Sequence, residues 1–219
     1  MFKKKFVYTS SQIELMWKSV AYRDCRRFAF FDGLRWQHPS TIFETLEQFE
    51  LFLKRNRITD VHVKSLEDNG GREWVIDVDV ENVEEDLDTK ICIAAQTFRN
   101  FFGENIARVM HSGNRGLHVW LRIDRFPMHA SKQSREQYYK VFVAPKTLSE
   151  IDIAALPEGC FAAAFIKATQ KYENRCKHKP LLSWWPAVDK HVFCNNSQIR
   201  VPYSYNYKGK KFSYVFKQE

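Results

Sequence analysis

An apolar run broken by two acids, Trp74, Val75, Ile76, Asp77, Val78, Asp79 and Val80, constrains this chain more than any other stretch. Side chains alternate faces along a strand, so Trp74, Ile76, Val78 and Val80 form one side and Val75, Asp77 and Asp79 the other. The first side is what a core buries. The second carries two carboxylates about 7 Å apart, the two-residue repeat of an extended chain. Like charges at that spacing repel unless something positive stands between them. A divalent cation meets that need, and hard carboxylate oxygens suit Mg²⁺ or Mn²⁺. The plain alternative is an exposed face of an edge strand, since acid-x-acid pairs are common.

Further along, Ser112, Gly113, Asn114, Arg115 and Gly116 form a tight turn that leads into the strand Leu117, His118, Val119, Trp120 and Leu121. The two glycines permit positive φ and let backbone N–H groups approach an anion closely. Ser112 adds a hydroxyl, Arg115 a fork of donors and His118 an imidazole, a set that suits a triphosphate. A third stretch brings one more acid, Asp189, followed by Arg200, Val201, Pro202, Tyr203, Ser204, Tyr205, Asn206, Tyr207 and Lys208.

Taken in order, the D-x-D strand, the S-G-x-x-G-x-H turn and the late Asp with its basic-x-P-[FY]-S segment resemble the small, catalytic subunits of archaeo-eukaryotic primases. Tyr22 to Phe30, Val61 to Lys64 and Asn114 to Gly116 have the look of the baculovirus branch of that family. The joint occurrence is far more specific than any one motif. The resemblance implies a DNA-directed primase that makes short RNA primers on single-stranded DNA by two-metal nucleotidyl transfer. It makes Asp77, Asp79 and Asp189 the catalytic and metal-binding acids for two Mg²⁺ or Mn²⁺ ions. Ser112, Arg115, His118, Arg200, Asn206 and Lys208 become the nucleotide-binding set. It also implies an accessory primase subunit in a heterodimer, traffic with a replicative helicase and polymerase, and, for a viral protein, residence in the host nucleus. Asn114 departs from an arginine common in cellular relatives, which puts one phosphate contact in doubt. The zinc knuckle of cellular primases has no counterpart, because only Cys92 lies between the first two motifs. A looser set, Cys176, His178, His191 and Cys194, has ligand chemistry without tight spacing, so zinc is not expected.

At 219 residues and 44% hydrophobic content the chain can bury a sizeable core, and one catalytic domain over residues 1–219 is expected, with a small helical subdomain around 125–185. A net charge of +8 favours a polyanionic partner. Five cysteines without paired spacing argue for a reducing compartment. No run reaches membrane-spanning length and the first residues lack a signal peptide's apolar stretch, so an intracellular, soluble protein with no membrane partner is expected.

Periodicity predicts a mixed, mostly antiparallel sheet flanked by helices, an α+β (α/β) fold. A helix over 10–21 buries Ile13, Met16, Trp17 and Val20, capped by Ser10 or Ser11 with Glu14. A strand pair turns at Asp32 and Gly33 within 25–36, where Arg27 or Arg35 is the family's early arginine or part of a solvated strand. A second helix spans 41–54. A strand over 61–64 turns back through Asn69, Gly70 and Gly71 into the Asp77 strand. Glu81, Glu84, Glu85, Asp86 and Asp88 read as solvated surface before a helix over 89–102, which joins the first two motif strands in a βαβ manner. Residues 162–171 are a further helix. The aromatic and basic residues from Arg200 onward suit either a single-stranded nucleic-acid platform or an ordinary hairpin. Met16 and Trp17 are candidates for the accessory subunit's dock, against burial in the core. The alternatives to a primase are a primase-polymerase or gap-filling repair polymerase of the same fold, and a non-catalytic single-stranded DNA-binding subunit.

Overall fold

A computed structural model describes residues 6–80 and 86–217. Helix α1 (Ser10–Ser19) is followed by strands β1 (Phe28–Phe31) and β2 (Trp36–Gln37), helix α2 (Leu46–Arg55), strands β3 (Asp60–Val63) and β4 (Val75–Asp79), helix α3 (Leu87–Phe102) and strands β5 (Ile106–His111) and β6 (Gly116–Leu121). Helices α4 (Lys132–Tyr139), α5 (Glu150–Ala154), α6 (Phe161–Gln170), α7 (Glu173–Cys176) and α8 (Lys190–Cys194) come next. Four short strands close the order: β7 (Ile199–Arg200), β8 (Tyr205–Asn206), β9 (Lys211–Phe212) and β10 (Tyr214–Val215). The pairs β1–β2, β1–β3, β3–β7, β4–β6, β5–β10 and β8–β9 all run antiparallel, the α+β architecture expected. The chain divides into two compact units. One is built from the residues up to Arg72, Met110–Asn114 and Asn196–Val215, the other from Glu73–Val109, Arg115–Asn195 and the residues from Phe216 on.

In the first unit the sheet order is β2-β1-β3-β7. Phe28, Phe30, Val61, Val63 and Ile199 are buried on one face, where Phe28 packs at a tilt against Phe49 of α2 with ring centroids 5.2 Å apart. Helix α1 adds Ile13, Met16 and Trp17 to the same core, so the face considered for docking is not available to a partner. Its cap is Thr9 rather than Ser10. Thr9 and Gln12 form a reciprocal capping box, and Glu14 pairs with Lys18 instead. Helix α2 starts at Leu46, later than periodicity suggests, because the Thr45 side chain accepts from the Gln48 N–H and stops the helix there.

Strand β3 does not turn back onto β4. Its two edges are taken by β1 and β7, and a Leu66–Gly71 bridge with Asp68, Asn69 and Gly71 at positive φ closes the turn locally. Strand β4 instead belongs to the second unit, where β6 lies between it and β5. The two motif strands, β4 and β6, are adjacent but antiparallel, with α3 and β5 between them in the chain, so the expected βαβ unit does not form. Trp74, just before β4, Ile76 and Val78 of β4 and Leu117, Val119 and Leu121 of β6 pack on Ile91, Ala94, Ala95 and Phe98 of α3. Gly103, at φ +53, ends that helix. Helix α6 lies along α3, with Phe165 and Trp184 in a second buried cluster. The expected helical segment 125–185 is part of this unit. Of the acidic run, Glu81, Glu84 and Glu85 lie outside the described residues, while Asp86 pairs with Lys179 at 2.6 Å.

Candidate active site

Alternation along β4 dictates the site. Trp74, Ile76 and Val78 go into the core, which leaves Asp77 partly covered and Asp79 exposed on the other face. The β4–β6 register sets Asp77 opposite His118 and Asp79 opposite Gly116. Nε2 of His118 stands 3.4 Å from Oδ1 of Asp77, and the imidazole is buried. Only a glycine fits at position 116, since a Cβ there would lie 1.9 Å from the Val78 carbonyl oxygen. The Val80 N–H donates to the Arg115 carbonyl at 3.0 Å, which holds the start of β6 along the acid strand. Two of the three motifs are thus locked together by sheet register.

Asp189 joins the same strand through the backbone. Its N–H donates to the Asp77 carbonyl at 2.9 Å, beside a Val78–Val188 bridge, and its Oδ1 caps α8 by accepting from the Val192 N–H. A cleft of about 230 Å³ opens beside Asp79, lined by Lys90, Ala94, Trp184, Trp185 and Ala187 among others. Among the described residues no three His, Cys, Asp or Glu side chains are gathered closely enough to hold a metal ion. The donor set nonetheless fits Mg²⁺ or Mn²⁺, because such ions commonly take one or two carboxylates and complete their shell with phosphate oxygens and water. Asp77 and Asp79 are the pair that would supply the carboxylates, and Asp189 is bonded to the same strand through its backbone. Of the loose cysteine–histidine set, Cys194 is packed in the core and His191 contacts Asn195.

Ser112, Arg200, Asn206 and Lys208 belong to the first unit, and Arg115 to the second. Gly113, at φ +80, donates its N–H to His111 Nδ1, and Asn114 N–H donates to Ser112 Oγ. This turn is clamped onto the segment after β8. Asn206 Nδ2 donates to the Ser112 carbonyl at 3.1 Å, while Asn206 Oδ1 accepts from the N–H groups of Lys208 and Gly209. A Cβ on Gly209 would lie 1.9 Å from the Gly113 oxygen. Asn206 is buried and its amide fastens the turn, whereas Lys208 is exposed. Arg200 is also largely buried. It donates through Nη1 to Asp60 at 2.7 Å and to the Tyr205 carbonyl at 2.6 Å. Asp60, which no motif of the sequence marks, accepts from the Tyr207 N–H as well. Its only mark in the sequence is an acid at the start of a short strand. Arg27 pairs with Glu67 at 2.7 Å.

No protein-family model matches the chain. A DNA primase of Autographa californica nuclear polyhedrosis virus is 41% identical over 97% of this chain and 82% of its own length. The chain belongs to the baculovirus DNA primase family. Late expression factor 1 of Orgyia pseudotsugata multicapsid polyhedrosis virus, also 41% identical, is covered over 89% of its length. The family resemblance carried by the three motifs thus extends over nearly the whole chain, well beyond the motifs themselves. Within this primase-family chain, no described helix is long and apolar enough to cross a membrane.

Proposed function

We propose that the chain is a DNA-directed primase that makes short RNA primers from ribonucleoside triphosphates on single-stranded DNA. The observation that carries the reading is the pairing of the Asp77–Asp79 face of β4 with His118 and Gly116 of β6, inside a chain of the primase family. In the reaction the 3′-hydroxyl oxygen of one nucleotide bonds to the α-phosphorus of the next. The bond to the β-phosphate breaks, and pyrophosphate leaves. Two divalent ions, Mg²⁺ or Mn²⁺, would supply activation of the attacking oxygen and neutralise charge on the leaving one. Asp77, Asp79 and Asp189 are assigned to hold them. Buried His118, oriented against Asp77, is assigned to the triphosphate together with Arg115, where fixed donors stabilise developing charge without reorganising. The family resemblance also assigns Ser112 and Lys208 of the first unit to nucleotide binding. Asn206 acts as a positioning residue for the Ser112 turn, and Arg200 positions the segment around Tyr205.

Initiation needs two nucleotides and a template held before any primer adds affinity, which favours an accessory subunit in a heterodimer. A replicative helicase and polymerase as further partners, and action in the host nucleus, follow from the same reading.

The test is incubation of the purified chain with labelled nucleoside triphosphates, Mg²⁺ or Mn²⁺, and unprimed single-stranded DNA. Labelled dinucleotides and short RNA are expected, and Asp79→Asn abolishes them. Extension of a supplied primer with no product on unprimed template, even with the accessory subunit present, assigns the chain to gap filling instead.

A further inference from the structure

The first unit carries a string of aromatic rings that no role given above explains. Directly paired residues of an antiparallel sheet share a side. The pairs Phe31–Trp36, Phe31–Asp60 and Ala29–His62 therefore put Phe31, Trp36 and His62 on the face opposite the Phe28 and Phe30 core. Ring centroids follow one another from Tyr207 to Phe31 at 5.4 Å, Phe31 to Trp36 at 5.5 Å and Trp36 to His62 at 4.6 Å. A core would hide such rings, yet Trp36 is 38% exposed, Tyr207 39%, and Leu34 at the hairpin tip 87%. A cation sits beside each exposed ring in sequence: Arg35 next to Trp36, and Lys208 next to Tyr207, both exposed.

The ladder is held in place before anything binds. Asp32 Oδ1 accepts from the Leu34 and Arg35 N–H groups at 2.8 and 2.9 Å, and Oδ2 accepts from Gln37 Nε2 at 2.9 Å. At the other end the Tyr207 N–H is bonded to the Asp60 carboxylate. Rings fixed in this way lose little freedom on binding.

We propose that this ladder is a stacking platform for the bases of single-stranded nucleic acid, with Arg35 against its phosphates. The inference rests on the primase reading and deepens it by assigning the template to a surface. Base–aromatic stacking tolerates any sequence, which is what a template site requires. A protein dock is depleted of charge at its centre, whereas here an exposed cation neighbours each exposed ring along the chain.

The experiment measures binding of a labelled oligothymidylate by fluorescence anisotropy, without nucleotides, over a range of salt. Trp36→Ala and Tyr207→Ala are each expected to weaken binding about tenfold, and Trp36→Phe to keep most of it. Arg35→Ala is expected to lower the salt slope by about one. Circular dichroism and melting temperature check that each variant is folded. Folded Trp36→Ala and Tyr207→Ala that bind as tightly as the parent overturn the proposal, and if their self-association changes instead, the face is a protein interface. Primer synthesis by the parent chain is measured alongside. Ring-dependent oligonucleotide binding without synthesis supports the platform and counts against the primase reading. Synthesis with ring-independent binding overturns the platform alone.

Discussion

Asp77 and His118 face one another across the β4–β6 pair, with Nε2 of the histidine 3.4 Å from Oδ1 of the acid. The acid strand and the strand leaving the glycine turn are neighbours in one ladder, so a shift of register would separate both functional pairs at once. A slip by one residue would also carry the acids into the core and Ile76 and Val78 out of it. Burial of the apolar side therefore fixes the alignment of the polar one.

Removing one charge from that face separates catalysis from stability. Asp79→Asn is expected to abolish nucleotide transfer with the melting temperature unchanged, because Asp79 is exposed and such substitutions stay within about 0.5 kcal/mol. Asp77→Asn should also abolish transfer, at a cost of about 1 kcal/mol from the weakened contact with His118. Label incorporation and thermal melting on the same preparations check both.

Arg200 should behave as a structural group. It and Asp60 form a largely buried ion pair at 2.7 Å, and breaking such a pair from one side costs about 3–5 kcal/mol. Arg200→Ala should therefore lower the melting temperature markedly, and Asp60→Ala should add little further loss in the Arg200→Ala background. Denaturant melts of the two single variants and the double variant measure the coupling. Additive losses would show that the pair does not hold this segment.

Two glycines should prove irreplaceable for steric reasons and two others should not. Gly116→Ala and Gly209→Ala each bring a Cβ to 1.9 Å from a carbonyl oxygen, and overpacking of this kind costs about 1–3 kcal/mol or more. Both should lose primer synthesis. A Cβ on Gly103 or Gly159 meets nothing within 4 Å, so their alanine variants bear only the strain of positive φ, about 1 kcal/mol, and stay active. Activity at matched folded fraction distinguishes the two classes.

Acid should loosen the hairpin that carries Trp36. Backbone N–H donation from Arg35, followed by that from Leu34 and the Gln37 amide, holds the Asp32 carboxyl below the usual carboxylate range. A depressed folded pKa means that the stabilisation is fully present above the unfolded value and is lost as pH falls through the folded one. The Leu34 and Arg35 amide resonances should therefore titrate below the ordinary aspartate midpoint, and Asp32→Asn should remove that transition. A midpoint at the ordinary value would show that the cap does not form in solution.

Initiation should lag behind extension when the chain acts alone. The purified chain is expected to extend a preformed primer competently while making few dinucleotides, and its accessory subunit should restore initiation. Comparing the two products at cellular nucleotide concentrations checks this, and full initiation by the isolated chain would remove the need for a partner.

The sequence by itself determined what was local. Period-2 alternation put Asp77 and Asp79 on one face and Trp74, Ile76 and Val78 in the core, period 3.6 put Ile13, Met16 and Trp17 on a buried helix face, and Gly103 ended α3. The order of the three motifs was enough to suggest the family. Tertiary structure decided everything that depends on partners distant along the chain. Periodicity states which face a strand buries but not which strand lies beside it, so β3 was free to pair with β1 and β7 instead of returning to β4. The same holds for side chains. Arg200 and Asn206 have the donors of phosphate ligands, and only the fold brings Asp60 to one and the Ser112 carbonyl to the other. Tyr207 belonged to a run of aromatics that read equally well as a hairpin, until Phe31 and Trp36 came to lie beside it. A donor's chemistry is written in its residue type, but whether that donor is spent inside the protein or kept for a ligand depends on what folding places within hydrogen-bonding distance.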